Sequence, residues 1–90
     1  MTYIFDTMLT PQQLAVLREE PGRNRVAKAI ALAGVTQGAV AAALGCPQPY
    51  VSDVARCRYQ TITVDNARKF ANYFGCSIED LFPASEPAAP

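Results

Sequence analysis

One stretch of the sequence, TQGAVAAALGCPQPYVSDVAR at residues 36–56, contains two short helical patterns separated by a break. The first pattern covers Gln37–Leu44 and the second covers residues 48–56, with a Gly-Cys-Pro break between them. Glycine adopts a positive φ without steric penalty, so Gly45 suits a tight turn at the end of the first helix. The positions that would face inward are all apolar: Val40, Ala41, Leu44, Val51 and Val54. The stretch therefore predicts two helices packed across a tight turn, with the small side chain of Ala41 where they come closest.

This layout is that of a helix-turn-helix, in which the second helix enters the major groove of DNA. The net charge of +0 argues against a nucleic-acid partner at first sight. The distribution of charge reverses that argument, because residues 23–74 contain seven basic side chains and only two acidic ones, Asp53 and Asp65. A local basic field attracts phosphates whatever the net charge of the chain. The same charges also fit an ordinary solvated surface, so the charge pattern supports DNA binding without deciding it.

Length and composition argue against several other classes of protein. The chain has 90 residues, half of them hydrophobic, which is enough for one small domain. No apolar run approaches the roughly 18 residues of a membrane span, and residues 1–10 lack the basic start and apolar core of a secretory signal. Three separate cysteines without a histidine favour neither a disulfide framework nor a zinc site. We expect a soluble cytoplasmic protein without cofactor or metal, and no enzyme, because no nucleotide-binding loop or carboxylate cluster is evident.

The remaining sequence predicts three further helices and a last helical turn, and most of their boundaries carry a capping Thr or Ser, a Pro or a Gly. They cover residues 12–20, 23–33, 64–74 and 78–82. Asp80 stands in for the Glu or Gln of a capping box with Ser77. The patch Tyr3-Ile4-Phe5 predicts a flexible end or an edge strand that pairs with another chain. The expected organisation is an N-terminal arm and short helix at 1–22, a DNA-binding domain at 23–83, and a disordered tail at 84–90.

Several short motifs occur at a familiar spacing. They are Gly34-Val35-Thr36-Gln37, Ala41, Leu44-Gly45-Cys46, Val51-Ser52, Val54, and Phe74-Gly75-Cys76-Ser77-Ile78-Glu79-Asp80-Leu81-Phe82. With these motifs the chain resembles the phage repressor/Cro family of DNA-binding domains, also called the Xre family, over residues 23–83. The resemblance implies an all-α fold, a five-helix lambda-repressor-like helix-turn-helix domain, here with an extra N-terminal arm and helix.

The resemblance also implies which residues meet the bases. In the family, the base edges are contacted from positions that correspond to Gln48, Pro49, Tyr50 and Asp53. Gln48 can pair with N6 and N7 of adenine. The ring of Pro49 and the face of Tyr50 can lie against a thymine methyl group. Asp53 either accepts a hydrogen bond from N4 of cytosine or is a surface acid without DNA contact, and both alternatives stay open here.

Phosphate contacts are expected on both flanks of the recognition helix. The resemblance implies that Gln37 binds a phosphate and braces Gln48, with a solvated glutamine as the alternative. Arg56 and Arg58 follow the recognition helix and are the strongest candidates for phosphate clamps, with Ser52 beside them. Further phosphate contacts are expected from the opposite flank of the motif: Arg23, Arg25 and Lys28.

Two residues depart from the family pattern. Pro47 stands where many relatives have Ser or Thr, so the recognition helix lacks a side-chain N-cap. Cys57 stands where relatives often have Gly, and because a Cys in the left-handed region costs roughly 1 kcal/mol, the loop is expected to turn differently here. An oxidisable thiol is the other interpretation of Cys57. Cys46 and Cys76 each follow a glycine and are interpreted as small apolar core side chains.

These observations favour a sequence-specific transcriptional regulator, a repressor by preference, that binds double-stranded DNA and no membrane. One such domain touches few bases, so we expect a homodimer on a palindromic operator. Its recognition helices, residues 48–56, would lie about 34 Å apart, one turn of DNA. The alternative is an antitoxin-type protein that binds a partner toxin through the N-terminal arm and regulates its own operon.

Overall fold

The computed structural model describes residues 9–58 and 62–83, and all regular secondary structure in these two ranges is α-helical. Within them follow the helices α1 (Pro11–Glu19), α2 (Val26–Ala33), α3 (Gln37–Leu44), α4 (Gln48–Ala55), α5 (Val64–Phe74) and α6 (Ile78–Leu81). The predicted all-α architecture, five helices preceded by an extra one, is confirmed. The expectations for Tyr3-Ile4-Phe5 and for the tail at 84–90 lie outside the described residues.

Side-chain caps begin four of these helices. The hydroxyl oxygens of Thr10, Thr36, Thr63 and Ser77 each accept a hydrogen bond from the backbone N–H three residues further on. Asp80 accepts in return from the backbone N–H of Ser77, which completes the capping box expected from the sequence. Such caps satisfy N–H groups that a helix otherwise leaves unpaired. The bounds of α1, α3, α5 and α6 accordingly agree with the predicted ones within one residue.

The second helix begins later than the sequence indicated. The predicted start at Arg23 is wrong by three residues, because α2 begins at Val26. The side-chain oxygen of Asn24 accepts a hydrogen bond of 2.9 Å from the Val26 N–H, and the Arg25 N–H donates to the carbonyl of Leu81 at 2.8 Å. These bonds hold residues 23–25 outside the helix. The predicted end of α4 is also one residue too late, since that helix ends at Ala55.

The core is built around α5. Phe70 and Phe74 are its largest fully buried side chains, and every other helix adds at least one fully buried residue: Leu17, Val26, Val40, Val51 and Leu81. The predicted inward positions of α3 and α4 are buried except Leu44, which is half-buried at the edge of the core. Cys46 and Cys76 are half-buried and pack against this core, and burial raises the pKa of the Cys76 thiol to about 11. This agrees with their interpretation as small apolar side chains.

The first helix packs mainly on α2 and α6. Leu17 is completely buried, and the N–H of Leu9 donates to the carbonyl of Phe74 at 2.9 Å. Arg18 of α1 forms an ion pair with Asp80 of α6, with Nε 2.8 Å from Oδ1. The ion pair joins α1 to α6, the backbone hydrogen bond joins the residue Leu9 before α1 to α5, and Nε2 of Gln13 donates to the carbonyl of Leu32 in α2 at 2.9 Å.

The helices in the described ranges are short, and the longest has 11 residues. No single helix in those ranges is long and apolar enough to cross a membrane. The helices α2 and α3 reach that length and apolar composition only together, and they are bent by 103° relative to each other.

Candidate nucleic-acid interface

Two prolines shape the first turn of α4. Pro47 precedes the helix in extended geometry, with φ −67° and ψ 143°, and provides no side-chain cap. Pro49 lies inside the first turn, and the N–H of Tyr50 donates to the carbonyl of Pro47 at 3.0 Å. Proline has no N–H group, and its φ suits the start of a helix. The lost cap therefore leaves little unsatisfied, because Pro49 has no N–H group and the N–H of Tyr50 already has a partner.

The exposed surface of α4 is concentrated in its first turn. Gln48 and Pro49 are exposed, whereas Val51 and Val54 are fully buried in the core. Between these extremes the helix carries two half-buried polar residues, Ser52 and Asp53. An approaching duplex would thus meet Gln48 and Pro49 before any other side chain of α4.

Tyr50 is held by α5 rather than presented freely. Its ring centroid lies 6.4 Å from that of Phe70 at an interplanar angle of 32°. The side-chain amide of Asn66 donates a hydrogen bond of 2.9 Å to the Tyr50 hydroxyl. Tyr50 is half-buried in this position and so contributes to the packing of α4 on α5. The role of Asn66 could not be predicted from the sequence, because its partner is 16 residues away along the chain.

The start of α3 lies next to the start of α4. Among the described residues no hydrogen bond joins Gln37 to Gln48, although each is the first residue of its helix. The neighbour of the Gln48 amide is instead Gly38, where a Cβ atom would lie 3.4 Å from Oε1 of Gln48. Gln37 itself is half-buried at the first position of α3.

The end of α4 is closed by Cys57 in the left-handed conformation. Its φ is 61°, and it is the one non-glycine residue with a positive φ in the described ranges. The N–H of Cys57 donates to the carbonyl of Val54 at 3.0 Å, and the N–H of Arg58 donates to that of Asp53 at 2.9 Å. This pair of bonds is a Schellman motif. The expectation that the loop turns differently here is wrong, because the backbone keeps the turn that glycine favours and Cys57 bears the steric cost.

The same turn brings Arg58 back to Asp53. Nε of Arg58 lies 3.6 Å from Oδ1 of Asp53, and both side chains are partly exposed. Asp53 is therefore bound to Arg58 twice, through its carbonyl oxygen and through its carboxylate. This arrangement gives the acid on the recognition helix a positive partner, which lowers its repulsion of a nearby phosphate.

The basic residues before and within α2 have different surroundings. Arg23 is exposed, and Nζ of Lys28 is 3.9 Å from a carboxylate oxygen of Glu20. The guanidinium of Arg25 donates three hydrogen bonds to backbone carbonyls, those of Glu20 at 2.8 Å, Arg18 at 2.8 Å and Asp80 at 3.2 Å. The structure thus places Arg25 at the junction of α1 and α6 and does not group it with Arg56 and Arg58.

A residue that the sequence analysis missed connects α2 to the recognition helix. Nδ2 of Asn24 donates a hydrogen bond of 2.6 Å to the carbonyl of Val54 in α4. Oδ1 of Asn24 accepts a hydrogen bond from the N–H of Val26. The side-chain amide of this one residue therefore fixes both the start of α2 and the last turn of α4. An Asn just before an apolar helix is a recognisable local signal for the bond to the Val26 N–H. The bond to Val54 has no such signal, because its two residues are 30 positions apart in the chain.

A family model for the helix-turn-helix matches residues 26–81. This range is more than half of the chain and runs from the first residue of α2 to the last residue of α6. The chain therefore belongs to the Xre/lambda-repressor-like helix-turn-helix family, whose members are DNA-binding regulatory domains. In general terms it is a DNA-binding transcription regulator. No curated protein and no solved structure matches the chain.

Proposed function

We propose that this protein is a sequence-specific repressor that binds a palindromic operator as a homodimer, with α4 in the major groove of each half-site. The observation that carries the proposal is the arrangement of α4. One side of the helix is buried, its exposed first turn carries Gln48 and Pro49, and Arg56 and Arg58 are exposed just beyond its last turn. A helix in the major groove needs this order of base-reading side chains and flanking cations.

The side chains divide into two groups. Base contacts are assigned to Gln48, Pro49, Tyr50 and Asp53, of which the first two are the most exposed. Phosphate contacts are assigned to Gln37, Ser52, Arg56 and Arg58, with Arg23 and Lys28 from the flank of α2. Arg25, which was expected beside Arg23 and Lys28, is left out of this group because its guanidinium is bound to three backbone carbonyls. Arginine at the rim of a groove binds phosphate oxygens without regard to sequence, whereas a side chain on the groove-facing turn discriminates between base edges.

A dimer follows from the size of the recognition surface. One exposed helical turn contacts only a few base pairs, so two copies on a symmetric site are needed for useful affinity. The two copies of α4 would be separated by about 34 Å on B-form DNA. We place the protein in the cytoplasm with the nucleoid, where its DNA would be.

Selection of bound duplexes from a random pool tests the whole proposal. We expect inverted half-sites whose centres are about 10 base pairs apart, and binding that weakens steeply as salt rises. Binding that is insensitive to salt would contradict a phosphate-dominated interface. Half-sites in direct repeat, or a single half-site bound by a monomer in sedimentation analysis, would contradict the dimer on a palindrome.

A further inference from the structure

One carbonyl in the last turn of α4 accepts two hydrogen bonds. The Val54 oxygen receives the N–H of Cys57 at 3.0 Å and Nδ2 of Asn24 at 2.6 Å. A carbonyl oxygen has two lone pairs, so both bonds can form at the same time. The first bond closes the turn that follows α4, and the second ties that turn to the segment before α2.

The side-chain amide of Asn24 has only one orientation that satisfies both of its partners. A carbonyl oxygen can only accept a hydrogen bond, and a backbone N–H can only donate one. Nδ2 lies 2.6 Å from the carbonyl oxygen of Val54, and Oδ1 lies 2.9 Å from the backbone nitrogen of Val26. Exchanging the two amide atoms would bring two acceptors together at one end and two donors together at the other. The two backbone groups therefore fix the orientation of the amide.

The residues that follow Asn24 hold it on the frame of the fold. The backbone N–H of Arg25 donates to the carbonyl of Leu81 at 2.8 Å, and Val26 is completely buried. Asn24 thus extends from an anchored segment to the end of the recognition helix.

The turn that receives this bond has an unfavourable backbone conformation. Cys57 has a φ of 61°, a value that a residue with a Cβ atom adopts only at an energetic cost. Arg56 and Arg58 lie on either side of it and are exposed. Relaxation of the turn would move both cations, so a bond that opposes relaxation also keeps them in place.

We propose that Asn24 is a positioning residue for DNA binding, which holds the turn at residues 56–58 so that Arg56 and Arg58 meet the phosphates together. This inference rests on the proposed function, because it requires α4 to lie in the major groove. A turn that is already fixed loses little conformational freedom when DNA binds, and binding is stronger for that reason. The most exposed base-contacting side chains, Gln48 and Pro49, are at the other end of α4. Asn24 therefore acts on the affinity for every duplex and not on the choice of base at that end.

Asn24→Ser in the full chain removes one bond of the amide and leaves the charge unchanged. The serine hydroxyl can still accept from the N–H of Val26, but it is too short to reach Val54. We expect the affinity for operator and random-sequence duplexes to fall by about 3- to 10-fold. The slope of log K against log salt should fall by about 0.9 to 1.8, the values for one and two lost phosphate contacts. Preference at the base pair read by Gln48 should stay the same.

Thr10→Ala is the matched control for a loss of stability alone. It removes the hydroxyl that caps α1, a helix that packs mainly on α2 and α6. Both substitutions should lower the melting temperature by several degrees, but Thr10→Ala should leave the salt slope unchanged. In a protein that already carries Arg56→Ala and Arg58→Ala, Asn24→Ser should change the affinity by less than about twofold, because the groups it positions are gone.

Asn24→Asp gives a measurement that does not depend on DNA. A carboxylate at this position still accepts from the N–H of Val26 and favours the start of α2, but it cannot donate to Val54. Hydrogen exchange at the backbone amides of Cys57 and Arg58 should be about 3- to 10-fold faster than in the unchanged protein. Exchange in α1 should stay the same.

Three results would overturn the inference and leave the proposed function standing. They are an unchanged salt slope in Asn24→Ser, an equal loss of slope in Thr10→Ala, and unchanged exchange at Cys57 and Arg58 in Asn24→Asp. A full effect of Asn24→Ser in the absence of both arginines would overturn it as well. A protein without salt-dependent DNA binding would overturn both the inference and the proposed function.

Discussion

The guanidinium of Arg18 lies against the carboxylate of Asp80, with Nε 2.8 Å from Oδ1 and Nη2 3.3 Å from Oδ2. The same carboxylate caps α6 by accepting from the backbone N–H of Ser77. The hydrogen bond from Arg18, together with those from Ser77, holds the pKa of Asp80 below its ordinary value of 3.8, although burial opposes the shift. One acidic side chain thus joins the first helix of the fold to the last.

Asp80→Asn should lower the stability of the fold at neutral pH by about 1–3 kcal/mol, because the charge-assisted bonds to a buried acceptor are lost. Since the folded pKa of Asp80 is lower than the unfolded one, its contribution is present above 3.8 and is lost as the pH falls through the folded value. The difference in melting temperature between the two proteins should therefore shrink as the pH is lowered from 7 to 2. Asp65→Asn is the control, because Asp65 is exposed and its ion pair with Arg68 is 3.7 Å long. A difference that grows with acidity would contradict the assignment.

Cys57→Gly should stabilise the protein by about 0.5–1 kcal/mol, because glycine adopts a φ of 61° without the clash that a Cβ atom causes. For a domain of this size the melting temperature should rise by about 2–8 °C. The reciprocal control is Gly45→Ala at φ +73°, where no atom lies within 4 Å of a new Cβ. That substitution should destabilise through backbone strain alone. Equal melting temperatures for Cys57→Gly and the unchanged protein would show that the turn relaxes around cysteine.

Asp53→Asn should strengthen binding to random-sequence duplexes by about 2- to 5-fold, because a negative charge near phosphate is removed and Arg58 is released from its ion pair. The slope of log K against log salt should steepen by about 0.9, the value for one additional phosphate contact. Fluorescence anisotropy at several salt concentrations measures both quantities. Because Asp53 is also assigned a contact to cytosine N4, the substitution should in addition lower discrimination at one base pair. Unchanged affinity for random-sequence duplexes would show that Arg58 gains no phosphate contact when its ion pair is lost.

Arg25→Ala and Arg56→Ala should separate folding from binding. Arg25 donates to three carbonyls at the α1–α6 junction, so its loss should lower the melting temperature by several degrees and leave the salt slope of DNA binding unchanged. Arg56 is exposed, so its loss should weaken binding to every duplex and reduce the slope by about 0.9, with little change in stability. A reduced slope for Arg25→Ala would restore it to the phosphate-binding group.

The helices could be predicted from the sequence wherever their signals are local. A capping Thr or Ser with an apolar period located α3 and α5 at their observed bounds, since both signals act within one or two turns. Failures occurred where a distant partner decides the conformation. The start of α2 depends partly on Asn24, a local signal that was overlooked, and partly on the carbonyl of Leu81, which no pattern near Arg25 indicates.

The candidate site shows the same division. The exposure of Gln48 and Pro49 follows from the period of α4, and the cluster of cations follows from their position in the chain. The clamp of Asn66 on Tyr50, the bond of Asn24 to α4 and the closeness of Gly38 to Gln48 all arise from packing between helices. The residue at position 57 is a different case, because backbone geometry there outweighs the preference of the side chain.

The family match begins at Val26, yet α1 lies before that boundary and is bound to the last helix through Arg18 and Asp80. A fragment trimmed to the matched range would leave the Asp80 carboxylate without its cation and uncover the apolar surface beneath Leu17. Such a fragment would have a common family architecture but only part of this protein's cooperative folding unit. The range that defines the family and the cooperative folding unit therefore begin at different residues of this chain. Engineered fusions should keep the whole folding unit, which includes α1.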